Sequence, residues 1–289
     1  LIRAAAQRDI PLALVNGRIS DRSYPRYLCF KRMLAPLLKQ VRLFCMQSDL
    51  DRQRIVALGA DPASAVSSGN LKFDMPMNLA EADTAQLRRR YRLPDALPLW
   101  ICGSTHDGEE AALLQCYRTL LEQGAELALI LVPRHPPRVP AVGELLGAAN
   151  FPYRRRSQLT AESPLLAKGE VLLVDTLGEL LPLYAASDVV FVGGSLVPVG
   201  GHNLLEAALV SRPVIFGPYM HNFREISRLI LDAGAGRQVQ SPQELPALLM
   251  RYLHDPQWGE EQGAAGEKLV AAHAGATART VGLLQALVR

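Results

Sequence analysis

The chain has 289 residues, 49% hydrophobic and 20% charged, which is long enough for a large core or two α/β units and is an ordinary globular balance. With 31 basic and 28 acidic side chains the net charge is +3, which suits phosphates or anionic lipid heads but is too small to argue for nucleic-acid binding. Four cysteines without a C-x-x-C pair read as reduced, mostly buried thiols of a cytoplasmic protein; no secretory signal is read, and no apolar run nears the roughly 18 residues of a membrane span.

In chain order, the sequence opens inside an amphipathic run, LIRAAAQRDIP, that reads as a helix entered midway, from either a processed terminus or a truncated protein. Residues 12–15 read as a short strand, 25–40 as one helix with basic residues between apolar ones, and 43–46 as a strand. Ser48-Asp49 cap a helix ending near Gly59, and 65–68 form another short strand. GNLKFDMPMN (69–78) has no periodicity and reads as a linker. Helices are expected at 81–91, 109–122, 139–149, 178–186, 203–210 and 223–233, interleaved with strands at 99–102, 127–132, 153–155, 171–174, 189–192 and 213–216. The end reads as helical at 242–254, 257–272 and 276–288. Strands alternating with helices call for a doubly wound parallel sheet, which binds ligands at the C-terminal ends of its strands.

The most informative stretch is VGGSLVPVGGHNLLE, residues 192–206. An apolar strand runs into two glycines, a loop, two more glycines (Gly200 and Gly201) and His202-Asn203 at the start of a helix. Glycines let a backbone approach a ligand, and a helix N-terminus offers N–H donors and partial positive charge, so the pattern is that of a phosphate cradle. Glu206, a turn into the helix, is placed to accept hydrogen bonds from sugar hydroxyls.

Polar clusters recur where other strands end: GSTHDGEE (103–110), PRHPPR (133–138), DTLGEL (175–180) and GPYMHNFRE (217–225). Ser104 and Thr105 read equally as caps of the next helix and as hydroxyl donors to a phosphate or carboxylate. Arg134 offers a planar fork to a phosphate, with His135 beside it; the competing reading is a solvated basic loop. Asp175 and Thr176 before Gly178-Glu179, and Asn222 with Glu225, read equally as helix caps and ligand contacts. No histidine shows metal-ligand spacing, no G-x-S-x-G elbow exists, and no G-x-G-x-x-G follows an early strand, so a metal site, a triad hydrolase and a dinucleotide fold are disfavoured. The basic runs at 88–92 and 154–156 read as solvated faces. By spacing alone Lys72 reads as an exposed linker residue.

Taken together, LALVNGRIS (12–20), GNLKFD (69–74), GSTHDGEE, PRHPPR, DTLGEL, FVGGSLVPVGGHNLLEAA and FGPYMHNFRE resemble the 3-deoxy-D-manno-octulosonic acid (Kdo) transferases of Gram-negative bacteria. The resemblance implies an α/β fold of GT-B type, two Rossmann-like doubly wound parallel-sheet domains, the first incomplete in this chain. Residues 1–75 would be the C-terminal part of the acceptor-side domain plus linker, 76–275 the nucleotide-sugar domain, and 276–289 a terminal helix packing back toward the first domain. The implied reaction moves Kdo from CMP-Kdo to a lipid A precursor at the cytoplasmic face of the inner membrane, with inversion and with neither metal nor other cofactor.

Carried over by motif, the CMP contacts would be Arg134, His135, Leu177, Gly178, Glu179, Asn203, Leu204, Leu205 and Glu206. Ser104, Thr105, Gly200, Gly201, His202, Asn222 and Glu225 are additional candidates. The resemblance reverses the reading of Lys72, which matches a lysine placed near the transition state. It also implies that the general-base Glu and a membrane-anchoring segment precede the point where this chain opens, so the chain is expected to bind CMP and turn over little or nothing. Competing readings are another GT-B glycosyltransferase or epimerase using a UDP-sugar, and a non-catalytic nucleotide-binding module.

Overall fold

The computed structural model of the chain describes residues 2–74 and 83–288. The end of the expected linker (75–78) and the first two residues of the expected 81–91 helix lie outside them. The chain divides into two compact units, Leu1–Met75 with Ala271–Arg289, and Pro76–Val270. Among the described residues, no helix is long and apolar enough to cross a membrane.

The first unit holds a parallel sheet of β1 (Ala13–Gly17), β2 (Leu43–Met46) and β3 (Ala65–Ser67), in the order β1-β2-β3. The central strand β2 is buried throughout, and Phe44 and Met46 pack with Ile19, Ile55 and Leu58. The helix expected over 25–40 is two helices, Tyr24–Cys29 and Lys31–Leu38, which part at Phe30 (φ −100°, ψ 13°). Ser48 does cap the helix Asp49–Ala57, accepting from the Asp51 amide at 3.2 Å. Asp51 in turn is buried and accepts from the Ile19 amide at 2.7 Å, which ties that helix to the loop after β1.

GNLKFD seats the C-terminal helix Ala276–Val288 against this unit. Gly69, at φ +93°, lies so close to Ala276 and Arg279 that a Cβ there would come within 3.1 and 2.9 Å of them. Phe73 stacks on His273 at 4.8 Å, and Arg279 Nε donates to the Ser68 carbonyl at 3.0 Å. Asp74 accepts the amides of Gly275 (2.6 Å) and Thr277, a carboxylate at a helix N-terminus where the dipole favours it.

The second unit is a seven-stranded, wholly parallel sheet of β4 (Leu99–Thr105), β5 (Ala128–Pro133), β6 (Tyr153–Arg155), β7 (Val171–Leu173), β8 (Val189–Val192), β9 (Val214–Phe216) and β10 (Gly236–Gln238). The spatial order is β10-β9-β8-β4-β5-β7-β6. Alternate residues point to opposite faces: Trp100, Cys102, Leu129, Leu131, Phe191 and Ile215 pack on one face with Leu113, Tyr117 and Leu120 of helix Glu109–Glu122 and Leu245 and Leu249 of helix Leu245–His254. Covering on both faces explains why β5, β8 and the first four residues of β4 are continuous apolar runs rather than alternating ones. The three-residue edge strand β10 has no apolar run and is not legible in the sequence.

The basic runs read as solvated faces are not solvated at their key members. Arg88 is 7% exposed and donates to the Ala186, Pro94 and Asp95 carbonyls through Nε and Nη1 and to both oxygens of Asp188 through Nη2, at 2.9 and 2.8 Å. Arg154 makes a two-pronged pair with Glu170, 2.6 Å on each side. Arginine's fixed fork reaches several acceptors at once, and those acceptors lie too far away in sequence to be seen there.

Candidate functional site

Strand β4 lies at the centre of the seven-stranded sheet, and the chain leaves it toward β5 on one side while β8 pairs with it on the other. Loops leaving the C-terminal ends of β4 and β8 therefore diverge and leave a crevice, the place where open parallel sheets bind ligands. His106 enters from the loop after β4, Arg134 and His135 from the loop after β5, and His202, Asn203 and Glu206 from the loop after β8 and the helix Leu205–Leu209.

The histidines meet. His106 Nε2 and His202 Nε2 are 2.7 Å apart, with the rings stacked at 5.0 Å between centroids and 10° between planes. His135 stands edge-on to His106 at 5.5 Å. At 2.7 Å one imidazole donates and the other accepts, so at most one of the facing nitrogens carries hydrogen. Burial, with the charges of His106, Arg134 and His135 behind it, holds His202 down to about 4. Burial and His135 lower His106 as well. Burial raises the Glu206 carboxyl, opposed by a hydrogen bond from Asn203 Nδ2 (3.3 Å) and by the charge of Arg134. The crevice thus combines imidazoles, the Arg134 guanidinium and the half-buried Glu206 carboxyl, a set able to bind an anion beside hydroxyls. Among the described residues, no group of three or more His, Cys, Asp or Glu is arranged to hold a metal ion.

The glycine block behaves differently from its sequence reading. The amides of Gly194, Ser195 and Leu196 do not face outward; they donate to the carboxylate of Glu109 at 2.7, 3.0 and 2.9 Å. Those of Gly200 and Gly201 donate to the Gly194 carbonyl at 3.2 and 2.7 Å. Close approach is made by the protein to itself: a Cβ on Gly193 would lie 2.6 Å from the Ser104 carbonyl, and one on Gly200 or Gly201 would meet Asn222 or Met220. A compact loop satisfies its own donors, as buried backbone must. The turn amides are therefore not the phosphate cradle expected, and His202, Asn203, Leu204, Leu205 and Glu206, which follow it, are left as the part of the motif at the crevice.

Ser104 and Thr105 are not caps. Both lie within β4 and are 8% and 0% exposed, and the cap of the following helix is Gly108 at φ +87°. After β7, Leu177 is 79% exposed and Gly178 has φ +78°, an apolar side chain presented on a tight turn. Glu179 is drawn instead to Arg156 at 3.0 Å and to the Thr176 hydroxyl. Asn222 does not cap the helix Arg224–Asp232, whose cap residue is Phe223; its Nδ2 donates to the Val199 carbonyl at 3.2 Å and its amide to that of Gly200, binding two loops together. Glu225 sits in that helix's first turn. Lys72 is exposed in the first unit, on the 3₁₀ turn Leu71–Phe73, with its amide donating to Asn70 Oδ1 at 3.0 Å. Sequence reasoning missed two residues of the cluster GSTHDGEE, His106 and Glu109, whose partners lie on the far side of the sheet's switch point.

The model of the 3-deoxy-D-manno-octulosonic-acid transferase (Kdo transferase) family matches residues 1–75. The chain matches the C-terminal CMP-Kdo binding domain of WaaA from Acinetobacter baumannii, with 34% identity and a TM-score of 0.59, covering 65% of this chain and 95% of that one. This chain belongs to the Kdo transferase family. A 3-deoxy-D-manno-octulosonic acid transferase of Haemophilus influenzae is 36% identical over 99% of this chain and 66% of its own length. The chain spans between 37% and 66% of the length of the curated relatives it matches. Anabaena Alr3699/HepE in complex with UDP, 14% identical, shares the fold (TM-score 0.59, 99% of this chain and 74% of that one). The fold of this Kdo transferase family member is thus of the GT-B class.

Proposed function

We propose that the protein acts in the transfer of Kdo from CMP-Kdo to a lipid A precursor in lipopolysaccharide biosynthesis, and that the crevice at the ends of β4, β5 and β8 receives the CMP moiety. The observation that carries this reading is the convergence of His106, His135 and His202 with the Arg134 charge and Glu206 at the switch point of the seven-stranded sheet, in a chain similar to a CMP-Kdo binding domain. Arg134 meets the phosphate with its fork. Glu206 accepts from ribose hydroxyls. Leu177, presented on the turn before Glu179, offers an apolar surface to the base.

In this reading a base deprotonates the acceptor hydroxyl, which attacks the anomeric carbon as CMP leaves, and the centre inverts. CMP leaves with a single phosphate, and in this reading Arg134 and the backbone around Asn203 to Leu205 stabilise it without a divalent ion. The site of action is the cytoplasmic face of the inner membrane, where the acceptor resides. Calorimetric titration of the chain with CMP and with UDP tests the reading: CMP is expected to bind more tightly, and displacement of CMP by equimolar UDP would favour a UDP-sugar enzyme instead.

A further inference from the structure

Glu109 is a buried charge that the proposed chemistry does not use. It opens the helix Glu109–Glu122 directly after β4 and is 0% exposed. Its Oε2 accepts the amides of His106 (2.9 Å) and Gly194 (2.7 Å), and its Oε1 those of Ser195 (3.0 Å) and Leu196 (2.9 Å). The Glu109 amide reciprocates to the His106 carbonyl at 3.1 Å. One carboxylate thus spans the two loops that diverge at the switch point: the one that carries His106 and the one that leads to His202. Gly193 is part of the fit, since a Cβ there would stand 2.9 Å from Glu109 Oε2.

Successive backbone amides on a glycine turn form a concavity for an anion. Here the anion is supplied by the chain itself. We infer that Glu109 is a positioning residue: its carboxylate occupies the amide concavity of the Gly193–Leu196 turn, keeps a ligand phosphate out of it, and locks the β4 and β8 loops so that His106 and His202 meet across the crevice. Its consequence for nucleotide binding rests on the function proposed above; its effect on the two histidines does not.

Burial raises the Glu109 pKa while its four amide donors pull it back, so the geometry and not the titration carries the argument. A glutamine in its place has the same shape but one acceptor oxygen, and its NH₂ would face amide donors. The test is Glu109→Gln in the 289-residue chain, with Glu109→Asp as the conservative variant and Ser195→Ala as a comparison. Ser195 supports the same turn through its hydroxyl, which donates to the Val192 carbonyl at 2.6 Å and accepts the Gly217 amide at 2.8 Å, without touching the Glu109 carboxylate by its side chain.

Imidazole nitrogen NMR on His106 and His202 is the primary readout. In Glu109→Gln the N–H···N coupling between them should vanish and both titration midpoints rise toward ordinary histidine. Ser195→Ala should lower the melting temperature yet keep the coupling, and Glu109→Asp should restore part of it. CMP affinity should fall about tenfold or more in Glu109→Gln, the size of effect a misplaced loop produces. Unchanged coupling and titration in Glu109→Gln would overturn the inference. Should that variant not fold, amide exchange in the wild type decides: protection of Gly194, Ser195 and Leu196 supports it, and exchange as fast as in surface loops overturns it. If CMP does not bind the wild type at all, the proposed function fails, while the imidazole readout still judges Glu109.

Discussion

His106 and His202 share a hydrogen bond between their Nε2 atoms, 2.7 Å long, at the point where the loops of β4 and β8 diverge. Protonating both facing nitrogens would set two donors against each other. That geometry and burial give the same sign of shift, downward for both rings.

A pH dependence of stability follows for His202. Its pKa is held at about 4 in the folded chain against 6.5 for the unperturbed group, so between these values the unfolded chain binds the extra proton. Stability therefore rises with pH through this window, by up to about 3 kcal/mol for the full shift. Glu206, raised by burial, acts with the opposite sign, so the wild-type curve alone does not isolate the histidine. Urea unfolding at pH 7 and pH 4.5 should show a smaller difference in His202→Gln than in the wild type; equal slopes would remove His202 as the cause.

Glu206→Ala should weaken CMP binding by about tenfold or more, since a hydrogen bond from a ribose hydroxyl to a charged group contributes about 1.5–3 kcal/mol. Titration calorimetry measures this directly. Glu206→Gln, which keeps an acceptor, should fall between. Wild-type affinity in the alanine variant would take Glu206 out of the site.

Arg88→Ala should destabilise the second unit by about 2–4 kcal/mol, because it strips three carbonyls of their donor and takes the charge partner from Asp188, which keeps the Leu99 amide. Lysine should rescue little, having no planar fork to reach the three carbonyls and Asp188 at once. Denaturant midpoints of the three proteins test the order wild type, lysine, alanine.

Asp74→Ala should loosen the helix Ala276–Val288 at a cost of about 1–3 kcal/mol, since two amides lose a charged acceptor. Burial pushes the Asp74 pKa up, but hydrogen bonds from Thr277 and Gly275 and the Arg279 charge bring it net below 3.8. A lowered carboxylate stabilises fully above its unfolded pKa and loses that contribution as pH falls through the folded value. Limited proteolysis should cut the variant near residue 275 at neutral pH, and the wild type there only in acid.

Local patterns carried much of the fold. The strands Leu43–Met46, Tyr153–Arg155 and Val189–Val192 and the helices Glu109–Glu122 and Ala276–Val288 lie where apolar runs, alternation and turn residues put them, because those signals act between near neighbours. The same locality explains the misses: nothing near Phe30 shows that a helix breaks there, and β10 is an edge strand defined by its pairing with β9. His106, Arg134, His135, His202 and Glu206 were visible as polar residues at strand ends, and their chemistry needed only their types.

Their meeting needed the sheet. Pairing of β4 with β8 brings residues 96 positions apart to 2.7 Å, and Glu109 reaches amides 85 to 87 positions away. Composition and periodicity alone specify strands, helices and the loops rich in donors. Which donors face a ligand and which are consumed within the protein is decided only by the packed fold, since a hydrogen bond depends on where two atoms lie and not on how far apart they stand in the chain.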